Sequence, residues 1–167
     1  MYRYLPDYIS QGIFDIDYDK LYEIGIRGLC FDIDNTLIEM YNHNIHNKAH
    51  SLINKLKVKG FVICISSNAS KKRTSSIADD LGLKYVYRAF KPSRKGFERV
   101  LSILNLPACK CAMIGDQLFT DIKGGKKMGF ITVFTKKIDD NESLNVRIKR
   151  IFEKLIFRKY GKRIEKI

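Results

Sequence analysis

Leu29-Cys30-Phe31-Asp32-Ile33-Asp34-Asn35-Thr36-Leu37 is the stretch whose reading decides the fold. Gly28 to Ile33 has the apolar composition of a short strand buried on both faces of a parallel sheet. It delivers two carboxylates, Asp32 and Asp34, separated by one residue. Within a strand they would share a face, but a chain that leaves its strand at Asp34 splays them around one point. Buried acids are costly unless paired or metal-bound. Two of them at the carboxyl end of a strand, where open α/β sheets bind ligands, therefore predict a cation and a reacting group. Asn35 and Thr36 add polar side chains that satisfy the turn and the carboxylates.

The flanking sequence alternates strands with helices. A helix over about Asn47–Lys59 stops at Gly60, and Phe61–Ile65 reads as a second buried strand. Helix Ser70–Leu81 ends at Gly82, and Lys84–Tyr87 is a brief strand. Pro92 and Ser93 start helix Arg94–Leu104. Strand Lys110–Ile114, a short helix over Thr120–Met128 and strand Phe130–Phe134 complete the series. The pattern predicts an α/β fold, a doubly wound Rossmann-like parallel sheet of about five strands with right-handed crossovers.

Three segments emerge: residues 1–27, residues 28–140 as the α/β core, and residues 141–167. The first is rich in aromatics, including Tyr2, Tyr4, Tyr8, Phe14, Tyr18 and Tyr22. It reads as an arm packed on the core or set at a lipid interface. Phe14-Asp15-Ile16-Asp17 copies Phe31-Asp32-Ile33-Asp34, yet no apolar strand precedes it and Asp19 stands where a threonine would follow. Asp17 reads instead as the N-cap of a short helix ending near Gly25. The last segment is a basic amphipathic helix from Ser143, with Leu144, Ile148, Ile151, Phe152 and Leu155 on its apolar side. Between Asn141 and Ile167 nine Lys or Arg face three acids. This helix reads two ways, as a terminal helix packed on the sheet or as a membrane-surface element.

The chain of 167 residues has a hydrophobic content of 45%, a charged content of 29% and a net charge of +13. Those are the proportions of a soluble globular protein, of a size for one domain with a real core. The charge implies an acidic partner: phosphorylated substrate, anionic membrane surface or nucleic acid. The apolar runs are too short to span a bilayer, and the start is no secretion signal. Cys30, Cys64, Cys109 and Cys111 lie in or beside apolar stretches without zinc-like spacing, as expected of reduced core thiols in a cytoplasmic protein. His43, His46 and His50 lack companion ligands and read as loop and helix-surface residues.

Later strand ends supply the rest of a site. Ser66, Ser67 and Asn68 stand at the mouth of a helix, a natural phosphate-binding position. Lys91 offers a positive charge fixed before Pro92. Gly115-Asp116-Gln117-Leu118-Phe119-Thr120-Asp121 adds carboxylates where Mg²⁺, which takes a few protein oxygens and keeps several waters, fits.

These four stretches resemble, in order, the four motifs of the haloacid dehalogenase-like phosphatase superfamily. More narrowly, the chain is similar to the YqeG-type small phosphatases, relatives of the mitochondrial phosphatidylglycerophosphate phosphatases. The likeness includes Leu5-Pro6-Asp7, Lys91-Pro92 and Gly115–Gly125, and departs where Ser67 replaces a usual Asn. The resemblance implies that Asp32 attacks phosphorus to form an aspartyl-phosphate. Asp34 protonates the leaving oxygen and then activates water. Mg²⁺ is held by Asp32, the Asp34 main-chain carbonyl and Asp116. Ser66, Ser67, Asn68 and Lys91 hold the phosphoryl group, with Thr36 and Asp121 in support.

Only nine residues, Ile38–His46, separate the first motif from the next helix, too few for the cap domain that many such enzymes carry. An uncapped site admits a bulky substrate, or a lid formed by a second subunit. Openness, basic charge and the two terminal segments fit a phospholipid head group at the inner face of a membrane, and the resemblance favours phosphatidylglycerophosphate. A soluble sugar phosphate, a nucleic-acid end, and a non-enzymatic basic binding module remain as alternatives.

Overall fold

A computed structural model describes residues 5–39, 47–139, 144–161 and 164–167. Tyr2, Tyr4, the polar loop with His43 and His46, and the helix start at Ser143 lie outside the described residues. Seven strands form one parallel sheet: β1 Tyr8–Ser10, β2 Gly28–Phe31, β3 Val62–Ser66, β4 Lys84–Val86, β5 Cys111–Gly115, β6 Ile131–Thr135 and β7 Glu165–Lys166. Their spatial order is β4-β3-β2-β5-β6-β1-β7. The helices are α1 Tyr18–Glu23, α2 Asn47–Val58, α3 Lys71–Asp80, α4 Arg94–Leu104, α5 Lys123–Met128 and α6 Leu144–Tyr160.

The central strands are apolar because both of their faces are covered. Leu29, Phe31, Ile63, Ile65, Ala112 and Ile114 pack on one side with Leu21 of α1, Ile53 and Leu56 of α2, and Ile77 of α3. Cys30, Cys64, Cys111 and Met113 point the other way, against Phe97, Val100 and Leu104 of α4. This two-residue alternation gives a doubly wound architecture, and each large buried side chain contributes about 1.5–3 kcal/mol. Cys109 differs from the other three cysteines in being exposed. His50 lies on α2, 3.3 Å from the Asp80 carboxylate.

Two strands exceed the five counted from alternation. β1 comes from the N-terminal arm and pairs with β6, Tyr8 opposite Val133, while β7 pairs with the outer edge of β1. Both are too short to show a period of their own. Asp17 caps α1 by accepting from the Lys20 amide, so the decoy Phe14–Asp17 is a helix entry. Tyr18 and Tyr22 then set their rings edge-on against Phe61.

The register positions the chemistry. Phe31 stands level with Ile65 of β3 and Ile114 of β5. The Asp32 amide still donates to the Ile114 carbonyl, so Asp32 falls level with Ser66 and Gly115.

In the terminal segment, Phe157 packs on Phe134 of β6 with ring centroids 4.7 Å apart. Helix α6 lies against the molecule, but not through its apolar stripe: Leu144, Ile151 and Leu155 are 73%, 61% and 57% exposed. Its inward side carries Arg150 and Glu153, and Glu153 is 2% exposed. The polar partners of Arg150 and Glu153 at the sheet end, together with the Phe157 ring on Phe134, set which side of α6 faces inward.

Candidate active site

Four aspartates and three cations, Lys91, Arg73 and Arg150, gather at the carboxyl ends of β2, β3 and β5. One ligand oxygen from each of Asp32, Asp116 and Asp121 lies within 4.8 Å of the others, and all three residues are buried. Lys91 Nζ is 2.6 Å from Asp32 Oδ1, 2.6 Å from Asp121 Oδ1 and 2.8 Å from the Ser66 carbonyl. Burial alone would lower the lysine; Asp121 and Asp32 outweigh it and hold the ammonium charged, well above the ordinary lysine range.

Lys91 is placed by its neighbour on the β3 loop. Asn68 Oδ1 accepts from the Lys91 amide at 2.7 Å and Asn68 Nδ2 donates to the Lys91 carbonyl at 3.3 Å. Asn68 is thus a clamp on the lysine's backbone. The Ser67 hydroxyl accepts from the Ala69 amide at 3.0 Å and shapes the same turn. Ser66 Oγ is buried without a hydrogen-bond partner among the described residues. An orphaned buried hydroxyl is costly, and here it lies level with Asp32, where an incoming oxyanion would satisfy it.

On the β5 side, Gly115 allows the chain after Asp116 to fold back. A Cβ there would stand 2.6 Å from Asp121 Cγ. The π-helical turn Leu118–Ile122 returns Asp121 to Lys91, and Asp121 Oδ2 accepts from the Gln117 amide. Asp116 accepts from Thr36 Oγ1 at 3.4 Å. The β2 loop turns sharply through Asn35, at φ 62°, whose amide donates to the Ile38 carbonyl at 2.8 Å.

Three partners escaped the sequence reading. Arg73, in the first turn of α3, bonds Asp34 Oδ1 through Nη2 at 2.6 Å and Nε at 3.2 Å. The Asp34 side chain therefore turns away from the other three carboxylates and toward α3. Arg150 of α6 bonds both the carbonyl and the carboxylate of Asp116. Glu153 accepts from the Leu118 amide at 2.7 Å and from Arg150 at 2.8 Å. The run Lys71-Lys72-Arg73 at a helix start was a visible hint of the first; nothing local marks the other two.

Burial dominates the titration of the acids. It pushes Asp116 up to about 7, with Arg150 pulling it back. It also raises Asp32 against the pull of Lys91, and Glu153 against that of Arg150. Three carboxylates so close together repel unless a cation lies among them. An all-oxygen set of this kind fits a hard divalent ion that keeps part of its water shell.

Comparison with known proteins agrees with this fold. Residues 40–129 match the haloacid dehalogenase-like hydrolase family, a span that contains Ser66, Lys91, Asp116 and Asp121. A Bacillus subtilis protein named "Probable phosphatase YqeG" is 32% identical over 153 residues, covering 92% of this chain and 89% of that one. The Arabidopsis thaliana protein "Phosphatidylglycerophosphate phosphatase 1, chloroplastic/mitochondrial" is 27% identical over 147 residues, and the match covers 83% of this chain and 42% of that longer protein. Among solved structures, cobalt-bound deoxy-D-mannose-octulosonate 8-phosphate phosphatase from Haemophilus influenzae superposes with a TM-score of 0.56 at 16% identity. That match covers 86% of this chain and 92% of the other, a likeness of fold.

Proposed function

We propose that this chain, which belongs to the haloacid dehalogenase-like hydrolases, is a phosphatase that works through Asp32 and acts on phosphatidylglycerophosphate. The observation that carries the reading is the convergence of Asp32, Asp116 and Asp121 within 4.8 Å, beside a lysine bonded to two of them.

Asp32 is the nucleophile. One of its oxygens bonds to phosphorus as the substrate's alkoxide departs, and Asp34 gives that alkoxide a proton. Asp34 then takes a proton from a water that attacks the aspartyl-phosphate, releasing inorganic phosphate and restoring the Asp32 carboxylate. For both transfers the Asp34 carboxyl swings toward Asp32 from the position at α3 where Arg73 holds it in this structure. Lys91 and the Ser66 hydroxyl hold the equatorial phosphoryl oxygens, where charge gathers in the transition state, and Ser67 contributes through the turn amides. Asn68 and Asp121 act one step away, the first by holding the Lys91 backbone and the second by holding its ammonium. A Mg²⁺ bound by Asp32, Asp116 and the Asp34 main-chain carbonyl would supply the positive charge that lets a phosphate dianion approach a carboxylate. Thr36 keeps Asp116 oriented for it.

The lipid substrate is supported by the phosphatidylglycerophosphate phosphatase relatives, the +13 net charge and the exposed apolar stripe of α6. Among the described residues no helix is long and apolar enough to cross a membrane. A lipid substrate would therefore be met at the bilayer surface.

The test is a panel of phosphomonoesters with Mg²⁺, including phosphatidylglycerophosphate in mixed micelles. The expected result is kcat/KM highest for the lipid, with turnover lost by roughly 10⁴-fold in Asp32→Asn. A soluble sugar phosphate turned over as well as the lipid overturns the substrate. Undiminished phosphate release by Asp32→Asn overturns the mechanism.

A further inference from the structure

A cleft of about 780 Å³ runs between α6 and the β6-β1-β7 edge of the sheet, beside the carboxylate cluster and separate from it. Its size suits a ligand site. Its walls are of two kinds. Ile9, Phe134, Ile151, Phe157 and Ile167 make them aliphatic and aromatic, and Lys136, Lys137, Arg147, Lys154 and Lys166 make them basic. Two acids also line it. Asp15 is one, and the other, Glu153, is committed to the Leu118 amide and Arg150.

We propose that this cleft receives an acyl chain and the phosphodiester of an anionic phospholipid, the chain among the isoleucines and phenylalanines and the phosphodiester on the basic residues. Three features single out that occupant. A sugar phosphate has no use for the apolar walls. A nucleic acid would need open aromatic faces, but the Phe134 and Phe157 rings already pack on each other with centroids 4.7 Å apart. Ile151 lines the cleft and also belongs to the exposed stripe of α6, so the cleft is continuous with the surface best suited to lie on lipid.

Arg150 joins the cleft to the reaction site. Its side chain lines the cleft while its guanidinium bonds Asp116. A lipid seated here has its head group next to the carboxylates. The inference rests on the phosphatase reading only for what happens at that head group, since the cleft would bind a lipid with no terminal phosphate equally well.

The chain contains no tryptophan, so Phe157→Trp places a single fluorophore in the cleft. The probe is dihexanoyl-phosphatidylglycerol, monomeric in solution and lacking the scissile phosphate, titrated into the full chain. A saturable blue shift is expected, with affinity about tenfold or more weaker when Arg147→Glu and Lys154→Glu are added. Dihexanoyl-phosphatidylcholine should bind correspondingly worse. Calorimetry on the unsubstituted chain gives the same titration without the reporter, and thermal melting verifies that each variant folds.

No saturable binding by either method overturns the proposal. So does an unchanged affinity after charge reversal, or an equal shift with inorganic phosphate or an RNA oligonucleotide. Hydrolysis of phosphatidylglycerophosphate, assayed in parallel, separates the two readings. Probe binding without preferential hydrolysis sinks the substrate and leaves the cleft; preferential hydrolysis without probe binding sinks the cleft alone.

Discussion

Helices α4 and α6 are both amphipathic, and they dock by opposite sides. Helix α4 buries Phe97, Val100 and Leu104 against Cys30, Cys64 and Met113, leaving its charged residues to solvent. Helix α6 turns Ile148, Ile151, Phe152 and Leu155 outward and buries Glu153, with Arg150 reaching Asp116. An apolar stripe thus predicts the buried side only where the receiving surface is apolar. At the ends of β2 and β5 the receiving surface is a set of carboxylates and main-chain amides, and beside it lies Phe134 of β6; together they select the side of α6 that carries Arg150, Glu153 and Phe157.

Four measurements test how the two helices are held. The largest expected effect is on α4: Phe97→Ala should cost about 3–5 kcal/mol, because it empties a fully buried site over Gly124. A urea midpoint near that of the unsubstituted chain would show that α4 is not held by its stripe. Next comes Glu153→Ala, expected to lose about 1–3 kcal/mol by leaving the Leu118 amide unpaired. Glu153→Gln should recover part of that loss, since an amide oxygen can still accept.

The third measurement is pH. Burial raises Asp116 to about 7 and raises Asp32 and Glu153 in the same direction. Between about pH 4 and 7 the folded metal-free chain therefore binds more protons than the unfolded one. By linkage its stability falls as pH rises through that window, by up to about 1.4 kcal/mol per pH unit for each proton of difference. Urea midpoints in chelator that climb from pH 5 to pH 7 would contradict the arrangement. The smallest effect belongs to the outer side of α6, where Ile148→Ser or Phe152→Ser should change stability by no more than about 0.5 kcal/mol. A large loss there would mean that the stripe is covered.

The same contrast explains what could be read in the sequence. Asp32, Ser66 and Asp116 were legible because each ends or follows an apolar strand, and parallel strands bring their carboxyl ends to one edge; Lys91 was legible from its place before Pro92. Helix α4 was legible to the residue, since both its start after Ser93 and its apolar period are local. Arg150 and Glu153 were not, because their partners lie 34 and 35 residues away, and nothing near them signals a carboxylate cluster. Asn68 was expected to bind substrate, and its hold on the Lys91 backbone was not legible, since nothing local pairs two residues 23 apart. Strands β1 and β7, of three and two residues at one end of the sheet, are set by neighbours rather than by pattern.

Formal charge around the site has one more implication. Asp32, Asp34, Asp116, Asp121 and Glu153 are five potential anions, and the cations bonded to them are Lys91, Arg73 and Arg150. Full ionisation leaves a deficit of two, the charge that one divalent ion restores to electroneutrality. Without that ion, protons on the buried acids are the available substitute, and exchanging them for metal should release acid into the medium.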